Sequence, residues 1–184
     1  MRAFLDFEAS SLARNGYPIE VAWVFEDGTE ESHLIRPLPG WTDWDESAQA
    51  IHGISRDKLL TDGAPADFVA HRLFDALGGH DLFASSPSWD GKWLSVLLRA
   101  GGLPRHALRL RDTDVAQIET ATAALAPLAS GTGRDAAALV ARVRGELGNP
   151  LAHRALPDAQ HEQRLWVAIR DAAQAEAERA AGRG

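Results

Sequence analysis

With 184 residues, 45% of them hydrophobic, the chain is long enough for one α/β domain with a full core and short for two. It holds no cysteine, which excludes disulfides, thiolate metal sites and cysteine nucleophiles, and no run reaches the roughly 18 apolar residues that span a membrane. A formal net charge of −7 argues against extended binding to a nucleic-acid duplex, which draws on many Lys and Arg contacts to phosphate. The opening Met-Arg-Ala-Phe-Leu-Asp enters a strand at once and leaves no room for a signal peptide. With the lack of cysteine, it gives the expectation of a cytoplasmic protein.

Arg2 to Glu8 alternates, with Phe4, Asp6 and Glu8 on one face and Ala3, Leu5 and Phe7 on the other, as a strand requires. Pro18 leads into a β-rich run from Ile19 to Phe25, and Asp27-Gly28 signals a hairpin turn that returns over Glu31 to Arg36. Three consecutive antiparallel strands are therefore expected. After Pro37, Pro39 and Gly40, short helices are predicted over Asp45 to His52 and Ser55 to Leu60, then a longer one over Ala66 to Leu77 that stops at Gly78-Gly79. Asp81 to Ser85 reads as a strand. Trp93, Leu94, Leu97 and Leu98 give the next helix a buried stripe, and Ala107 to Asp112 reads as the fifth strand.

Helices near Asp114–Leu125 and Asp135–Leu147 follow, joined by an interhelix loop at Ser130-Gly131-Thr132-Gly133, and a final helix starts near Asp158. This order predicts an α/β fold with a mixed five-stranded sheet, three antiparallel strands and then two more, flanked by helices. One domain over residues 1–171 is expected. The Ala/Glu/Arg-rich tail at 172–184 has high helix propensity and little to bury, so it is expected to fray.

Asp6 and Glu8 leave the same face of an otherwise apolar strand. Burying two anions side by side costs several kcal/mol each unless a cation compensates, and a hard divalent metal does so with oxygen ligands. The pair alone fits equally well with an exposed face of ordinary charges. Asp90, after a Ser/Pro segment, reads locally as a helix cap, as does Asp158, and His153 alone as a surface histidine. Asp112 and Asp114 read as caps rather than metal ligands.

Taken jointly, the segments Phe-Leu-Asp6-Phe-Glu8-Ala-Ser-Ser-Leu, Ser-Pro-Ser-Trp-Asp90 and His153-Arg-Ala-Leu-Pro-Asp158-Ala stand in an informative order. In order and spacing they resemble the DEDDh exonucleases of the ribonuclease H-like superfamily, a group that includes ribonuclease T, oligoribonuclease and the proofreading subunit of bacterial DNA polymerase III. Tyr17 to Ala22 and Ala50-Ile51-His52-Gly53-Ile54-Ser55 add to the likeness, which runs along nearly the whole chain. Two places depart from it: Ser10-Ser11 stand where Thr-Gly is common, and Ser86 where Asn often precedes the second-motif acid by four residues. Neither removes a carboxylate.

The resemblance implies a 3′–5′ exonuclease that uses two Mg²⁺ or Mn²⁺ ions and releases nucleoside 5′-monophosphates. Asp6 would bridge the ions, Glu8 and Asp158 would complete one site, Asp90 would hold the other, and His153 would be the general base. It also points to Leu12, with Ser10, Ser11 and His52 nearby, as the contact for the terminal base. Trp89 and Trp93, which flank Asp90, are candidates for stacking on bases, with Trp93 reading rather as helix core. Trp41 and Trp44, in a polar stretch, are freer candidates for a surface contact or a structural lid. The implied ligand is a single-stranded DNA or RNA 3′ end or a short oligonucleotide. Ribonuclease T and oligoribonuclease suggest a homodimer, and the lack of a long extension suggests a stand-alone trimming enzyme. Two other readings are an inactive nuclease-like module recruited to a nucleic-acid-processing complex, and a structural protein whose acids are caps and surface charges. The complete acid set argues against the first of these.

Overall fold

The protein, seen here in a computed structural model, is described over residues 1–128, 135–148 and 152–181; the loop expected at 130–133 and the last residues of the tail lie outside these. Strands β1 (Arg2–Ala9), β2 (Pro18–Phe25) and β3 (Glu30–Arg36) form the antiparallel meander that alternation predicts. At its turn Gly28 takes φ 88°, a conformation open to glycine without a Cβ penalty. Helices α1 (Glu46–His52) and α2 (Arg56–Asp62) open on Asp45 and Ser55, whose side chains accept backbone N–H groups of the first turn.

The chain continues through β4 (Ala64–Pro65), α3 (Ala66–Leu77), β5 (Asp81–Ala84), α4 (Pro87–Ala100) and β6 (Leu110–Asp112). It ends with α5 (Thr113–Leu125), a short 3-10 turn, α6 (Ala136–Leu147) and α7 (Ala155–Ala181). The sheet order is β4-β3-β2-β1-β5-β6, with β5 parallel to β1 and β6 parallel to β5.

The sheet has six strands where five were expected. The extra one, β4, is two residues long and runs parallel to the end of β3. A pair of residues carries no periodic signal, and Pro65 suits an edge, where its missing N–H costs no ladder bond. The expected strand over Ala107–Asp112 forms only at Leu110–Asp112, because Pro104 opens a turn in which the Ala107 N–H donates to the Pro104 carbonyl.

The alternation of β1 decides which helices cover which face. Ala3, Leu5 and Phe7 pack with Trp23 and Ile35 beneath α3 and α4, through Val69, Leu73, Trp93, Leu94 and Leu97. Each fully buried Leu or Phe there contributes about 1.5–3 kcal/mol. On the opposite face Phe4 stacks on Phe83 at 5.9 Å and meets Trp166 of α7 at 5.8 Å between ring centroids. Ala22 and Val24 lie under Ala155 and Ala159, and these small residues let the start of α7 close on β2. Because Phe4 touches Trp166 while β2 touches Ala155, α7 runs antiparallel to β1 with its N-terminus over the strand's C-terminal end. α5 and α6 brace α7 from outside through Leu125, Leu139, Val143 and Ile169. Among the described residues no helix is long and apolar enough to cross a membrane.

Candidate active site

Asp6 and Glu8 follow Phe4 along the face of β1 that α7 covers. Where the helix begins, its first turn delivers Asp158. Asp6, Glu8 and Asp158 each bring a carboxylate oxygen to within 4.8 Å of one another. Asp90 arrives from α4. The β1–β5 ladder stops at Phe4 opposite Phe83, so the edge of β1 beyond it is open, and the Phe7 amide faces the Asp90 carboxylate.

The helices do not start at these acids, as the sequence suggested. α4 begins at Pro87 and α7 at Ala155, so Asp90 and Asp158 lie inside the first turn. Asp90 accepts the Ser86 N–H at 3.3 Å. Asp158 accepts the Arg154 N–H at 3.3 Å and the Ala152 N–H at 2.8 Å. Pro87 and Pro157 are tolerated because amides of the first turn have no helical partner to lose.

Crowding these anions has an electrostatic cost. Burial holds the Asp6 carboxyl well above the usual carboxylate range, with the charges of Asp90, Glu8 and Asp158 adding to it. Burial pushes Glu8 up to about 7, helped by Glu20 and Asp158 and opposed by Arg154. Asp90 is also pushed up to about 7, mainly by burial, although the Ser86 and Phe7 amides pull the other way. Bringing a divalent cation among them reverses this logic, since the ion becomes the largest local charge. The donors are all carboxylate oxygens, which suits hard Mg²⁺ or Mn²⁺ rather than a soft metal.

All four acids line one cleft of about 450 Å³ together with His153. His153 is exposed and has φ 53°, a left-handed backbone. The rim is apolar: Leu12 is 66% exposed, Ile51 60% and Trp89 41%. Trp89 stacks on Trp93 at 6.1 Å, and Trp93 itself belongs to the core. Ser11 and His52 also line the cleft.

Ser10 is fully buried and does not line the cleft; its hydroxyl accepts the Tyr17 N–H at 3.1 Å. Ser11 bonds to Asp43 and accepts the Ala13 N–H. The Nδ1 of buried His52 accepts the Ile54 N–H at 3.0 Å, which leaves Nε2 to carry the proton, without a partner. Gly16 closes this loop, where a Cβ would strike the Ser11 carbonyl and the Trp93 ring. Trp41 and Trp44 are engaged internally, Trp41 stacked on Tyr17 and Trp44 donating to Gln49. Asp112 caps α5, and Asp114 pairs with Arg144.

Two features escaped the sequence reading. Glu20, directly opposite Glu8 in the β1–β2 register, is buried and paired with Arg154. Glu162, one helical turn after Asp158, is raised by burial and adds to the field on Asp6 and Asp90. Its spacing of four from Asp158 was the available signal; the Glu20–Arg154 pair left none. Beyond Ser85 a second recess of about 520 Å³ opens toward Thr113, Gln117, Arg144 and Glu162.

This mixed sheet, with helices on both faces and carboxylates at the end of its central strand, is an α/β arrangement shared with solved exonuclease structures. Among solved structures it is similar to exonuclease I of E. coli. The zinc-bound complex of that enzyme with single-stranded DNA aligns with a TM-score of 0.63 and 16% identity, over 89% of this chain and 39% of that one. The complex with a dT13 oligonucleotide gives 0.62 and 15%, over 89% and 39%. A product-bound exonuclease I gives 0.63 and 14%, over 92% and 43%. The chain thus spans about two fifths of the length of these exonuclease I chains. No family model and no curated protein matches the sequence.

Proposed function

We propose that the chain is a divalent-metal-dependent 3′–5′ exonuclease of the DEDDh type, releasing nucleoside 5′-monophosphates from single-stranded DNA. The observation that carries this reading is the convergence of Asp6, Glu8, Asp90, Asp158 and His153 on one cleft. Asp6, Glu8 and Asp158 would hold one Mg²⁺ or Mn²⁺, and Asp90 with Asp6 a second. Two ions there would stabilise the charge that develops on the attacking and departing oxygens of a phosphodiester.

The chain's own residues do the rest. His153 accepts the proton of the attacking water at an imidazole nitrogen, the commonest side-chain group to serve as a general base. Its exposed place on the cleft wall leaves it free to pass that proton to solvent. Leu12, Ile51 and Trp89 offer apolar surface to the last bases of the strand, with Ser11 and His52 beside them. Attack on phosphorus breaks the bond to the 3′ oxygen of the preceding nucleotide, giving a 5′-monophosphate and a strand with a new 3′-hydroxyl. The choice of DNA is supported by the fold neighbours solved with single-stranded DNA and dT13. Residues 1–171 hold every residue of the proposed site, and α7 itself runs on to Ala181.

The test is a 5′-labelled single-stranded oligomer incubated with Mg²⁺. Stepwise shortening from the 3′ end with release of mononucleotides is expected, abolished by EDTA and by Asp6→Ala. Full activity in either condition would sink the reading.

A further inference from the structure

Glu20 and Arg154 are 134 residues apart in sequence and meet in a two-pronged ion pair, with Nε donating to Oε2 at 3.0 Å and Nη2 to Oε1 at 2.7 Å. Glu20 is 5% exposed and takes a third hydrogen bond, at 3.0 Å, from the Ala155 N–H at the start of α7. An anion this deep in a sheet is tolerated only when matched by donors, and here three converge on it. A guanidinium fork on a carboxylate fixes direction as well as distance.

Arg154 is the residue that follows His153. On the other side of His153, the Ala152 N–H is held by Asp158 at 2.8 Å, and the Arg154 N–H donates to the same carboxylate. Both neighbours of His153 are therefore anchored, while His153 itself is exposed with φ 53°. A left-handed backbone is strained for a non-glycine residue and persists only where its surroundings impose it. The anchors on either side are what imposes it.

We infer that Glu20 and Arg154 are positioning residues for His153: their ion pair fixes the peptide that carries the imidazole, so that it enters the cleft beside the acids. Neither residue touches the substrate. The pair also commits the hydrogen bonds of the Arg154 fork to Glu20, so that only its charge acts on Glu8 of the neighbouring strand. This role rests on His153 being the base of the proposed reaction.

Arg154→Lys tests it, since it keeps a positive charge near Glu8 while replacing the fork with a point donor. The expected result is a fall in kcat of about ten- to a hundredfold, as small misplacements of a reacting group produce. KM for the oligonucleotide and calorimetric Mn²⁺ affinity stay at the wild-type level. In a His153→Ala background the same substitution has no further effect on kcat. Equal losses in both backgrounds, or a loss confined to Mn²⁺ affinity, overturn the inference. A readout independent of activity is the amide spectrum of the metal-free protein. There Arg154→Lys should displace the Ala152 and His153 resonances and leave those of Asp6 and Glu8 in place; an unmoved His153 overturns the inference. If wild-type protein shows no nuclease activity, or His153→Ala keeps full activity, the proposed function fails and the spectra still decide on the pair. Glu20→Asp, which retracts the carboxylate by one methylene, is expected to give the same pattern and serves if Arg154→Lys does not fold.

Discussion

Asp90 and Asp158 occupy equivalent positions in two helices that pack on opposite faces of the sheet: each reaches back four residues to accept a backbone N–H at 3.3 Å. The same carboxylate thus steadies a helix start and faces the cleft. Asparagine separates the two duties, because its carbonyl still accepts the N–H while its charge is gone. Asp90→Asn and Asp158→Asn should keep their fold and lose nuclease activity. Asp158→Ala should also lose about 1 kcal/mol of stability relative to Asp158→Asn, the usual worth of a capping side chain. Thermal denaturation set beside the oligonucleotide assay measures both effects.

Repulsion among the acids makes the metal-free protein sensitive to pH. Glu8 and Asp90 rise from ordinary values of 4.5 and 3.8 to about 7, so between those limits the folded state binds more protons than the unfolded chain. Stability must then fall as pH rises through this window. In EDTA the melting temperature should climb on acidification from about pH 7 toward pH 5, by roughly 2–4 °C for each kcal/mol recovered. Mn²⁺ should raise it most at neutral pH and least at pH 5, where protons compete for the same oxygens. A melting temperature in EDTA that drops steadily over that range would contradict the electrostatics described for the cleft.

His153→Ala should lower kcat by about 10²–10⁴, the span usual for a general base. Mn²⁺ binding should be unchanged, because the proposed cation site is built from carboxylates alone. Single-turnover kinetics with saturating Mn²⁺ measure the chemical step, and a variant that keeps the wild-type rate would assign the base elsewhere.

Trp89 leaves an aromatic face exposed at the cleft rim, where we propose that it stacks on a base. Trp89→Ala should weaken oligonucleotide binding by about 1–3 kcal/mol, the worth of one base on an aromatic ring. The loss should appear in KM rather than kcat. Trp93→Ala, a core truncation, should instead cost about 3–5 kcal/mol of stability. Fluorescence titration with catalytically silent Asp6→Asn protein, together with chemical denaturation, separates the two.

Much of the fold was legible because its signals are local. The two-residue alternation of Arg2 to Glu8 put Asp6 and Glu8 on one face, and Ala66–Leu77 formed between the boundaries read from its pattern. Asp90 and Asp158 were read as starting helices, whereas α4 and α7 begin three residues earlier, and the prolines at 87 and 157 are accommodated within their first turns. β4 is too short for any periodicity. Ser10 looked like a cleft residue by its place in the motif, yet its hydrogen bonds to Tyr17 turn it inward. Glu20 with Arg154 could not be read at all, since that pair exists only once β2 and the start of α7 have docked.

The antiparallel seating of α7 over β1 has a temporal consequence. A nascent chain that has emerged only through α6 already contains Asp6, Glu8 and Asp90, but lacks both His153 and Asp158. It also lacks the helix start whose docking shapes the wall of the cleft above Glu20. The carboxylate cluster is thus completed only when the segment from His153 through the first turn of α7 has docked on the sheet, long after Asp6 and Glu8 have been laid down.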